Sequence, residues 1–520
     1  MPDKSYSESK TDDKFQTLLN NANAARVISQ VVESTIGPKG LDIMMVDGFG
    51  DVLVSNDGVT ILKSMETQHP AAKMIINTAR AQQNEVGDGT TTATIIAGTL
   101  VAEGVTQVLK GVPVTMVIEG IKLGTKKAVE LIHQHTRKIA SLEDGRLFDI
   151  ACIAGRGHTD IAKLVVEGAK IIGEERLLDR EYKFTDAIMA RESSGNQVLK
   201  GIILNKEPVN KDMPLNLTEP RILVIDDALG PEDINHDAMK TESGFQYYLK
   251  ARETYQQNLS KIVDLKVNLV VVDRGIDDIA EEVLTQAGVM VIHRASSKEI
   301  QKLCKHTGAR KIKRATLNRD LDCIKSFLGR AQTVTVDQKL KYTLVIGGQA
   351  ENNATVVVGA STEEVVDERE RIAKDAASAV QAALQGGIVP GGGAIEVWIA
   401  AQLENYAQGV EGMVSFGISC VKEAILKPFI CMVDNAGFNS LEKLRDVIAA
   451  QKNKGLDSIA VNFNNGLLIN VMDQGIVDPA LVKTKALEMA SEVAVAILRI
   501  NTIIKMRNER SDLDESDIMD

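Results

Sequence analysis

Gly87-Asp88-Gly89-Thr90-Thr91-Thr92-Ala93-Thr94 places one carboxylate between two glycines and follows it with four hydroxyl side chains in five positions. Glycine lets the backbone come close to a ligand, and an aspartate can offer oxygen to a hard cation such as magnesium. Threonine hydroxyls and backbone N–H groups at a helix start can donate hydrogen bonds to phosphate oxygens. The stretch therefore indicates a site for the metal-bound polyphosphate of a nucleotide.

The residues after this stretch predict a helix. Apolar side chains recur at helical spacing from Ala93 to Val108, so the threonines at 90–92 would lie at or near its N-terminus, where the helix dipole favours anions. The alternative is a threonine-rich cap on an ordinary core helix, which would bind no ligand.

Length and composition limit the class of protein. A chain of 520 residues is too long for one ordinary core, and the usual domain size of roughly 100 to 200 residues predicts about three domains. With 44% hydrophobic residues, 25% charged residues and 11 prolines, the chain is typical of a helix-rich globular protein. Aromatic residues make up only 3%, so Ala, Val, Ile and Leu are expected to fill the cores.

Charge and hydropathy argue against two classes of partner. The net charge of -11 argues against a general nucleic-acid surface. The densest basic patch is interpreted as a solvated helix end or strand edge; it consists of Lys305, His306, Arg310, Lys311, Lys313 and Arg314. No apolar stretch is expected to approach the ~20 residues of a membrane helix, and the polar N-terminus has no signal-peptide core. We therefore expect a soluble protein with neither membrane nor nucleic-acid partners.

Cysteine and histidine residues indicate no metal site. The five cysteines include no Cys-x-x-Cys pair, so they are interpreted as reduced, cytosolic and mostly buried thiols. His133 and His135 are two residues apart; they are assigned to a strand and are not expected to share one helix face. A metal shared by these two side chains is not expected.

Apolar patterns divide the chain into helical ends and an α/β middle. Residues 41–46 and 51–55 are predicted to form a hairpin that leads into Asn56-Asp57-Gly58. Between about 221 and 312, short apolar runs alternate with amphipathic stretches, which predicts parallel strands at 221–226, 268–272 and 289–293. Helices are predicted at 276–287 and 297–306.

Two further helical segments are informative. One helical stripe is formed by Phe245, Tyr248, Leu249, Tyr255 and Leu259. Such a stripe is typical either of a core helix or of a protruding helix that packs against neighbours. A second helix is predicted from a capping box at 361–364 to Gly386-Gly387. Asp375 borders the apolar face of this helix and should need a partner for its charge.

No P-loop motif and no kinase motif set occurs, so other segments must hold the phosphates. Three shorter candidates, each weak alone, are Thr35-Ile36-Gly37-Pro38-Lys39-Gly40, Asn56-Asp57-Gly58-Val59-Thr60 and Pro390-Gly391-Gly392-Gly393. In this order, and together with the stretch at 87–94, they resemble the chaperonin family over essentially the whole chain. Gln68-His69-Pro70-Ala71-Ala72-Lys73 and Glu85-Val86 before Gly87 are most similar to its group II branch, the thermosome and eukaryotic cytosolic chaperonins.

The resemblance implies a multi-domain α+β and α/β subunit. A mostly helical equatorial domain would comprise residues 1–136 and 387–520, and a small intermediate domain residues 137–206 and 349–386. The α/β apical domain would comprise residues 207–348, with a helical protrusion at about 230–260.

The resemblance also implies the site residues. Nucleotide would contact Thr35, Gly37, Pro38, Asp57, Gly58, Gly87, Gly89, Thr90, Thr91, Thr92, Arg156, Gly392 and Asp478. Magnesium would bind Asp88, and the nucleoside would lie by Gly392 and Asp478. Asp57 and Asp375 would be the catalytic residues that face the γ-phosphate. Because a carboxylate is a weak base at neutral pH, Asp375 would mainly orient the attacking water, assisted by Asp57.

One position departs from the group II pattern. Around Ala154-Gly155-Arg156-Gly157 that pattern usually has a lysine that reaches the terminal phosphate, and here the nearest cation is Arg156. Arginine has a different geometry from lysine. Together with Asn462-Phe463-Asn464, this departure points to the bacterial group III relatives.

The resemblance therefore implies an ATP- and Mg²⁺-dependent cytoplasmic chaperonin. Its subunits would form two stacked, eight-membered rings that bind and enclose non-native polypeptides, and the protrusion would serve as a built-in lid in place of a separate co-chaperonin. The alternatives are an ATP-dependent phosphotransferase, suggested by the phosphate-type loops and the α/β middle, and a nucleotide-binding ring scaffold without folding activity.

Overall fold

The computed structural model describes residues 5–231 and 241–504, with side chains except those of residues 5–15 and Glu364. The chain divides into two compact units, residues 1–157 with 378–520 and residues 158–377. Both ends of the chain belong to the first unit, as they do in the predicted equatorial domain. The finer division into three domains stays a prediction.

The first unit is mostly helical. Its N-terminal elements are α1 (Ser5–Glu33), β1 (Ile43–Val46), β2 (Val52–Ser55), α2 (Gly58–Ser64), α3 (Pro70–Glu85), α4 (Thr90–Leu109), α5 (Val114–His135) and α6 (Arg146–Ala154). Its C-terminal elements follow the long helix α13 (Glu363–Gly386) and are β14 (Ile388–Pro390), α14 (Ala394–Gln408), α15 (Val414–Asn435), α16 (Ser440–Lys454), β15 (Ile459–Val461), β16 (Leu468–Asn470), β17 (Val477–Pro479) and α17 (Ala480–Leu498).

Helix α4 lies at the centre of this unit, where it packs against α1, α3, α15 and α17. Small residues permit the close approach: a Cβ on Gly98 would lie 2.5 Å from Cβ of Ser29 on α1. Among the described residues, α4 alone is long and apolar enough to span a membrane, contrary to the prediction from the sequence. Its most apolar window is 61% buried within the protein, and its contacts are those of a core helix.

The second unit contains the α/β layer. Its elements are α7 (Thr159–Ile172), α8 (Glu174–Leu178), β3 (Ile188–Glu192), β4 (Gln197–Lys200), β5 (Ile202–Leu204), β6 (Asn216–Thr218), β7 (Arg221–Ile225), α9 (Glu242–Asp264), β8 (Leu269–Val272), α10 (Asp278–Gln286), β9 (Met290–Ile292), α11 (Ser297–Thr307), α12 (Leu321–Lys325), β10 (Gly329–Arg330), β11 (Thr333–Asp337), β12 (Tyr342–Ile346) and β13 (Ala354–Ala360).

The described residues of this unit form three sheets. Strands β7, β8 and β9 are parallel neighbours, and β10 pairs with β7 in the antiparallel sense. The other sheets have the strand orders β5-β12-β11-β6 and β3-β13-β4. The predicted parallel strands are confirmed, and so are α10 and α11, the second of which ends at Gly308 with a φ of 76°.

Helix α9 combines both interpretations of the aromatic stripe. Tyr255 and Leu259 in its C-terminal half are buried, and the Tyr255 hydroxyl donates to the carbonyl oxygen of Leu229 at 3.2 Å. Phe245 and Tyr247, near its start, are 50% and 55% exposed. The part of the predicted protrusion at 232–240 lies outside the described residues.

The hairpin β1–β2 is confirmed as an antiparallel pair, whereas three other interpretations were wrong. His133 and His135 lie in helix α5, not in a strand. No cysteine forms a disulfide, but only Cys420 and Cys431 are fully buried. His306, assigned to a solvated basic patch, is 2% exposed. Glu364 of the predicted capping box lies outside the described side chains.

Candidate functional site

The N-termini of two helices meet in the first unit. Asp57 caps α2, since its Oδ2 accepts hydrogen bonds from the backbone N–H and the hydroxyl of Thr60, at 2.9 and 2.7 Å. At the start of α2, a Cβ on Gly58 would lie 2.6 Å from Oγ1 of Thr91, in the first turn of α4. Helix N-termini carry unpaired N–H groups and a partial positive charge. The junction is therefore suited to phosphate oxygens.

Asp88 lies in the short loop between α3 and α4, where its Oδ1 accepts a hydrogen bond from the N–H of Gly89 at 2.6 Å. Burial raises the pKa of Asp88, and the nearby carboxylates of Asp478 and Asp57 raise it further, whereas the Gly89 N–H and the ammonium of Lys483 lower it. The net pKa is above the ordinary value. The positive charge and the N–H donor near Asp88 therefore do not fully compensate its negative charge.

A divalent cation would supply the missing compensation. Within the described parts of the chain, no group of three or more His, Cys, Asp or Glu side chains is arranged around a metal. Magnesium does not need such a cage, because it is usually bound by one or two carboxylates together with substrate phosphates and water. Asp88, in the loop that leads into α4, fits this pattern.

The glycines on either side of Asp88 are required by close contacts. Both have a left-handed backbone, with φ of 80° at Gly87 and 76° at Gly89. A Cβ on Gly87 would lie 2.2 Å from Oγ of Ser378 in α13. A Cβ on Gly89 would lie 2.5 Å from Cγ1 of Val482 in α17. Any larger residue would displace the loop that carries Asp88.

The segment at 35–40 forms a tight turn at the end of α1. The hydroxyl of Thr35 donates to the carbonyl oxygen of Val32 at 2.9 Å, while Gly37 and Pro38 are exposed. Asn435 on α15 donates from Nδ2 to the carbonyl oxygens of Glu33 and Ile36, at 2.9 and 3.0 Å. This side chain therefore holds the turn against α15.

The fold brings Gly392 close to Asp478. Strands β14 and β17 pair in the antiparallel sense, with Val389 opposite Asp478, so the glycine turn that follows β14 begins beside β17. The N–H of Gly391 continues the pairing by donating to the carbonyl oxygen of Ile476 at 3.0 Å. These two segments are about 90 residues apart in the sequence, and the strand pair makes them neighbours.

Sequence reasoning missed a cation at this place. Nζ of Lys483, in the first turn of α17, lies 2.6 Å from Oε1 of Glu396 and 2.8 Å from Oδ2 of Asp478. The sequence contains one local indication of this cation, a lysine between Val482 and Thr484, which are both buried in the structure. Gln82 and Asn435, which fix the loops at 86–89 and 35–40, belong to no motif and were missed too.

The last two predicted site residues are Asp375 and Arg156. Asp375 belongs to the second unit, where its Oδ2 lies 3.3 Å from Nη1 of Arg371, the partner that its charge was expected to need. Arg156 belongs to the first unit, in an exposed left-handed turn after α6 with a φ of 53°.

Comparison with known proteins shows the family to which the chain belongs. The sequence model of the TCP-1/cpn60 chaperonin family matches residues 28–508. A thermosome subunit of Pyrococcus abyssi is 34% identical over 503 residues, which cover 93% of this chain and 90% of the relative. The thermosome subunit alpha of Thermoplasma acidophilum is 34% identical over 507 residues, covering 93% of this chain and 91% of the relative.

Solved structures agree with the sequence comparisons. The crystal structure of a group III chaperonin in the open state superposes with a TM-score of 0.87 and 44% identity, covering 95% of this chain and all of that chain. The expected multi-domain chaperonin fold is confirmed, and neither the phosphotransferase nor the inactive scaffold is favoured. ATP binding, double-ring assembly and the binding of non-native polypeptides follow from membership at this level. The chain belongs to the TCP-1/cpn60 chaperonin family and is an ATP-dependent chaperonin, which couples ATP hydrolysis to protein folding.

Proposed function

We propose that ATP binds in the first unit, with its phosphates at the junction of α2 and α4. The observation that carries this proposal is the convergence of two helix N-termini beside Asp88, an undercompensated carboxylate. The phosphate contacts are Thr35, Gly37, Pro38, Gly58, Gly87, Gly89, Thr90, Thr91 and Thr92. Backbone N–H groups and threonine hydroxyls donate to the phosphate oxygens, and the glycines let the backbone approach them.

Asp88 would hold the magnesium ion. When bound, the ion neutralises charge on the phosphates and stabilises the charge that develops during hydrolysis. The chain holds Asp88 at two places: the Gly89 N–H donates to its carboxylate, and the Gln82 side-chain amide donates to its backbone carbonyl oxygen. Gly392 and Asp478 would contact the nucleoside, which is supported by their proximity across the β14–β17 pair.

Asp57 and Asp375 would act on the attacking water. Asp375 would accept a hydrogen bond from this water and orient it, while Asp57, held by Thr60, would assist. Arg156 would reach the terminal phosphate in place of the lysine of group II relatives. ATP hydrolysis would then drive the change between open and closed rings.

The finer features of the assembly are also part of the proposal. Each ring would contain eight subunits, and the complex would work in the cytoplasm without a separate co-chaperonin. The lid would be built from the region of α9, which is supported by the exposure of Phe245 and Tyr247 in its first turns. Exposed aromatic side chains at one end of a helix are suited to packing against the same region of neighbouring subunits.

Subunit contacts within a ring require a heterologous interface. The outer face of the hairpin β1–β2 is apolar and exposed: Met44 lies opposite Val54, Val46 lies opposite Val52, and all four are more than half exposed. Phe49 in the turn is 97% exposed. A flat apolar hairpin of this kind favours association, so we assign it to the contact with the next subunit.

Electron microscopy of the purified protein in negative stain tests this proposal. The protein is imaged alone and with magnesium, ATP and aluminium fluoride, without any added partner. We expect double rings of eight subunits that are open alone and capped with nucleotide. Rings that never cap would contradict the built-in lid, a different symmetry would contradict the eightfold ring, and monomers or dimers would contradict the assembly.

A further inference from the structure

The proposed nucleotide site contains an ion triad, of which the proposed function uses only Asp478. Lys483 follows Asp478 by five residues, across the junction of β17 with α17, and its ammonium lies between Asp478 and Glu396. The exposed fractions of the three side chains are 15% for Lys483, 8% for Glu396 and 21% for Asp478. The arrangement is therefore an ion triad largely removed from water.

The charges in this triad do not balance. One ammonium faces two carboxylates, and Lys483 also lowers the pKa of Asp88 through its field. Burial alone would lower the pKa of Lys483, but the carboxylates of Asp478 and Glu396 outweigh this effect, so the pKa is raised and the lysine is charged. Oε2 of Glu396 is buried and has no hydrogen-bond partner among the described residues. A purely stabilising role does not explain this triad well, because a buried ion pair often contributes little to stability.

The geometry gives the triad a different use. Lys483 contacts Oδ2 of Asp478, so Oδ1 can face a ligand while the carboxylate plane is held. The glycine turn at 391–393 lies beside Asp478 through the β14–β17 pair, and Glu396 lies in the first turn of α14, which follows this turn directly. Lys483 thus ties together the two segments that would enclose the nucleoside.

We propose that Lys483 is a positioning residue for nucleoside recognition, which fixes the Asp478 carboxylate so that it accepts a hydrogen bond from a donor on the nucleoside. This inference rests on the assignment of Asp478 to the nucleoside under the proposed function. An ionised carboxylate is an acceptor only, so the ligand group is a donor, either a sugar hydroxyl or the amino group of the base. Lys483 itself touches neither the phosphates nor the reacting atoms.

The test compares ATPase kinetics of four variants in the assembled protein: Lys483→Met, Asp478→Asn, the double variant Lys483→Met/Asp478→Asn, and the control Lys485→Met. Lys485 lies on the same helix and pairs with Glu488 at 3.2 Å. The substrates are ATP, 2′-deoxy-ATP, 3′-deoxy-ATP and ITP. The two deoxy nucleotides report on the sugar hydroxyls, and ITP, which lacks the amino group, reports on the base.

We expect Lys483→Met to raise KM for ATP about tenfold or more, as for the loss of a hydrogen bond to a charged group, with kcat nearly unchanged. The preference for ATP over one class of analogue should shrink, and which class identifies the donor. Because both residues act through one contact, the double variant should be no worse than Asp478→Asn. Lys485→Met should behave as the wild type.

Two results would overturn the inference, and they are distinguishable. If Asp478→Asn keeps the full preference for ATP, the assignment of Asp478 fails and the inference fails with it. If Asp478→Asn loses the preference while Lys483→Met keeps it and only lowers the melting temperature, Lys483 is structural and the inference alone fails. Should Lys483→Met not fold because Glu396 is left unpaired, Lys483→Met/Glu396→Gln replaces it and is subject to the same criteria.

Discussion

The side-chain amide of Gln82 donates a hydrogen bond from Nε2 to the carbonyl oxygen of Asp88, at 2.8 Å. The backbone carbonyl of Gln82 accepts from the N–H groups of Val86 and Gly87, at 3.0 and 3.2 Å. Gln82 is fully buried at the end of α3. One residue therefore holds both ends of the loop that carries the proposed magnesium ligand.

Replacing Gln82 by methionine keeps the volume of the side chain and removes the donor. We expect the Asp88 loop to lose its fixed position, so that about tenfold more magnesium is needed for half-maximal ATP hydrolysis, a typical loss for a partner that supports a metal ligand. The measurement is a magnesium titration of the ATPase rate. Gln83→Met, at the half-buried neighbouring position, is the control. An unchanged titration in Gln82→Met would refute the supporting role.

Asp88→Asn should separate stability from activity. Because the pKa of Asp88 is raised in the folded protein, the free energy of unfolding falls as pH rises from the unfolded to the folded pKa of this carboxyl, and the penalty is absent only below the unfolded pKa. The variant should therefore melt at a higher temperature than the wild type at pH 7 without nucleotide, and should lose magnesium-dependent hydrolysis. Calorimetry and an ATPase assay check the two effects. A lower melting temperature would contradict the undercompensated charge.

Asp375→Ala should retain nucleotide binding and lose turnover. Loss of a group that orients the nucleophile typically costs about 10²–10⁴-fold in rate. Equilibrium binding of ATP and single-turnover hydrolysis measure the two quantities separately. Asp367→Ala, two turns earlier on the exposed side of the same helix α13, is the control and should hydrolyse normally. Unchanged hydrolysis in Asp375→Ala would remove its assigned role.

His306 should make the second unit sensitive to acid. Its Nε2 accepts from the N–H of Gly348 at 3.1 Å, and its Nδ1 lies 2.9 Å from the carbonyl oxygen of Glu351. Burial lowers the pKa of His306, the nearby Arg176 lowers it further, and the bond to Glu351 opposes the shift. The neutral ring with its proton on Nδ1 satisfies both contacts.

Because the folded pKa of His306 lies below the unfolded value of about 6.5, the unfolded chain binds more protons in this window. Stability is therefore complete above about pH 6.5 and is lost as pH falls toward the folded pKa. Thermal unfolding between pH 5 and 8 should show this slope. His306→Gln should reduce it, and His293→Gln should remove a further part, because burial lowers the pKa of His293 too. The same slope in both variants would contradict this source of the pH dependence.

Phe49→Asp should weaken ring assembly. Burying a phenylalanine contributes about 2 kcal/mol, and a charge at the tip of the hairpin would add a desolvation cost. Sedimentation velocity should show smaller species at a protein concentration where the wild type forms rings. Leu321→Asp, at an exposed leucine of α12, is the control. Intact rings in Phe49→Asp would exclude the hairpin tip from the subunit contact.

Local patterns in the sequence determined most of the elements. The run at 87–94 predicted the start of α4, and alternating apolar runs predicted β7, β8 and β9, because backbone conformation depends on the spacing of apolar residues and on glycine. The spacing of residues led to a wrong prediction where the segment was too short to show a helical or strand period. Two histidines two residues apart are compatible with a strand, and the 22-residue helix α5 contains both.

One helix departs from the sequence prediction, and packing explains its apolar composition. Helix α4 is apolar enough for a membrane, and only its contacts with α1, α3, α15 and α17 identify it as a core helix. A buried core helix and a membrane helix can have the same apolar composition, so composition alone does not distinguish them.

The candidate site shows what the sequence determined and what tertiary structure decided. The sequence by itself determined which segments carry glycines, hydroxyls and carboxylates, and its order of motifs pointed to the family. Only the tertiary structure placed Gly392 beside Asp478 and Glu396 beside Lys483. These relationships join positions up to about 90 residues apart, and the raised pKa of Asp88 depends on burial and on charges contributed by several elements. The residue contacts and the pKa of Asp88 depend on long-range packing, which the local spacing of residues does not encode.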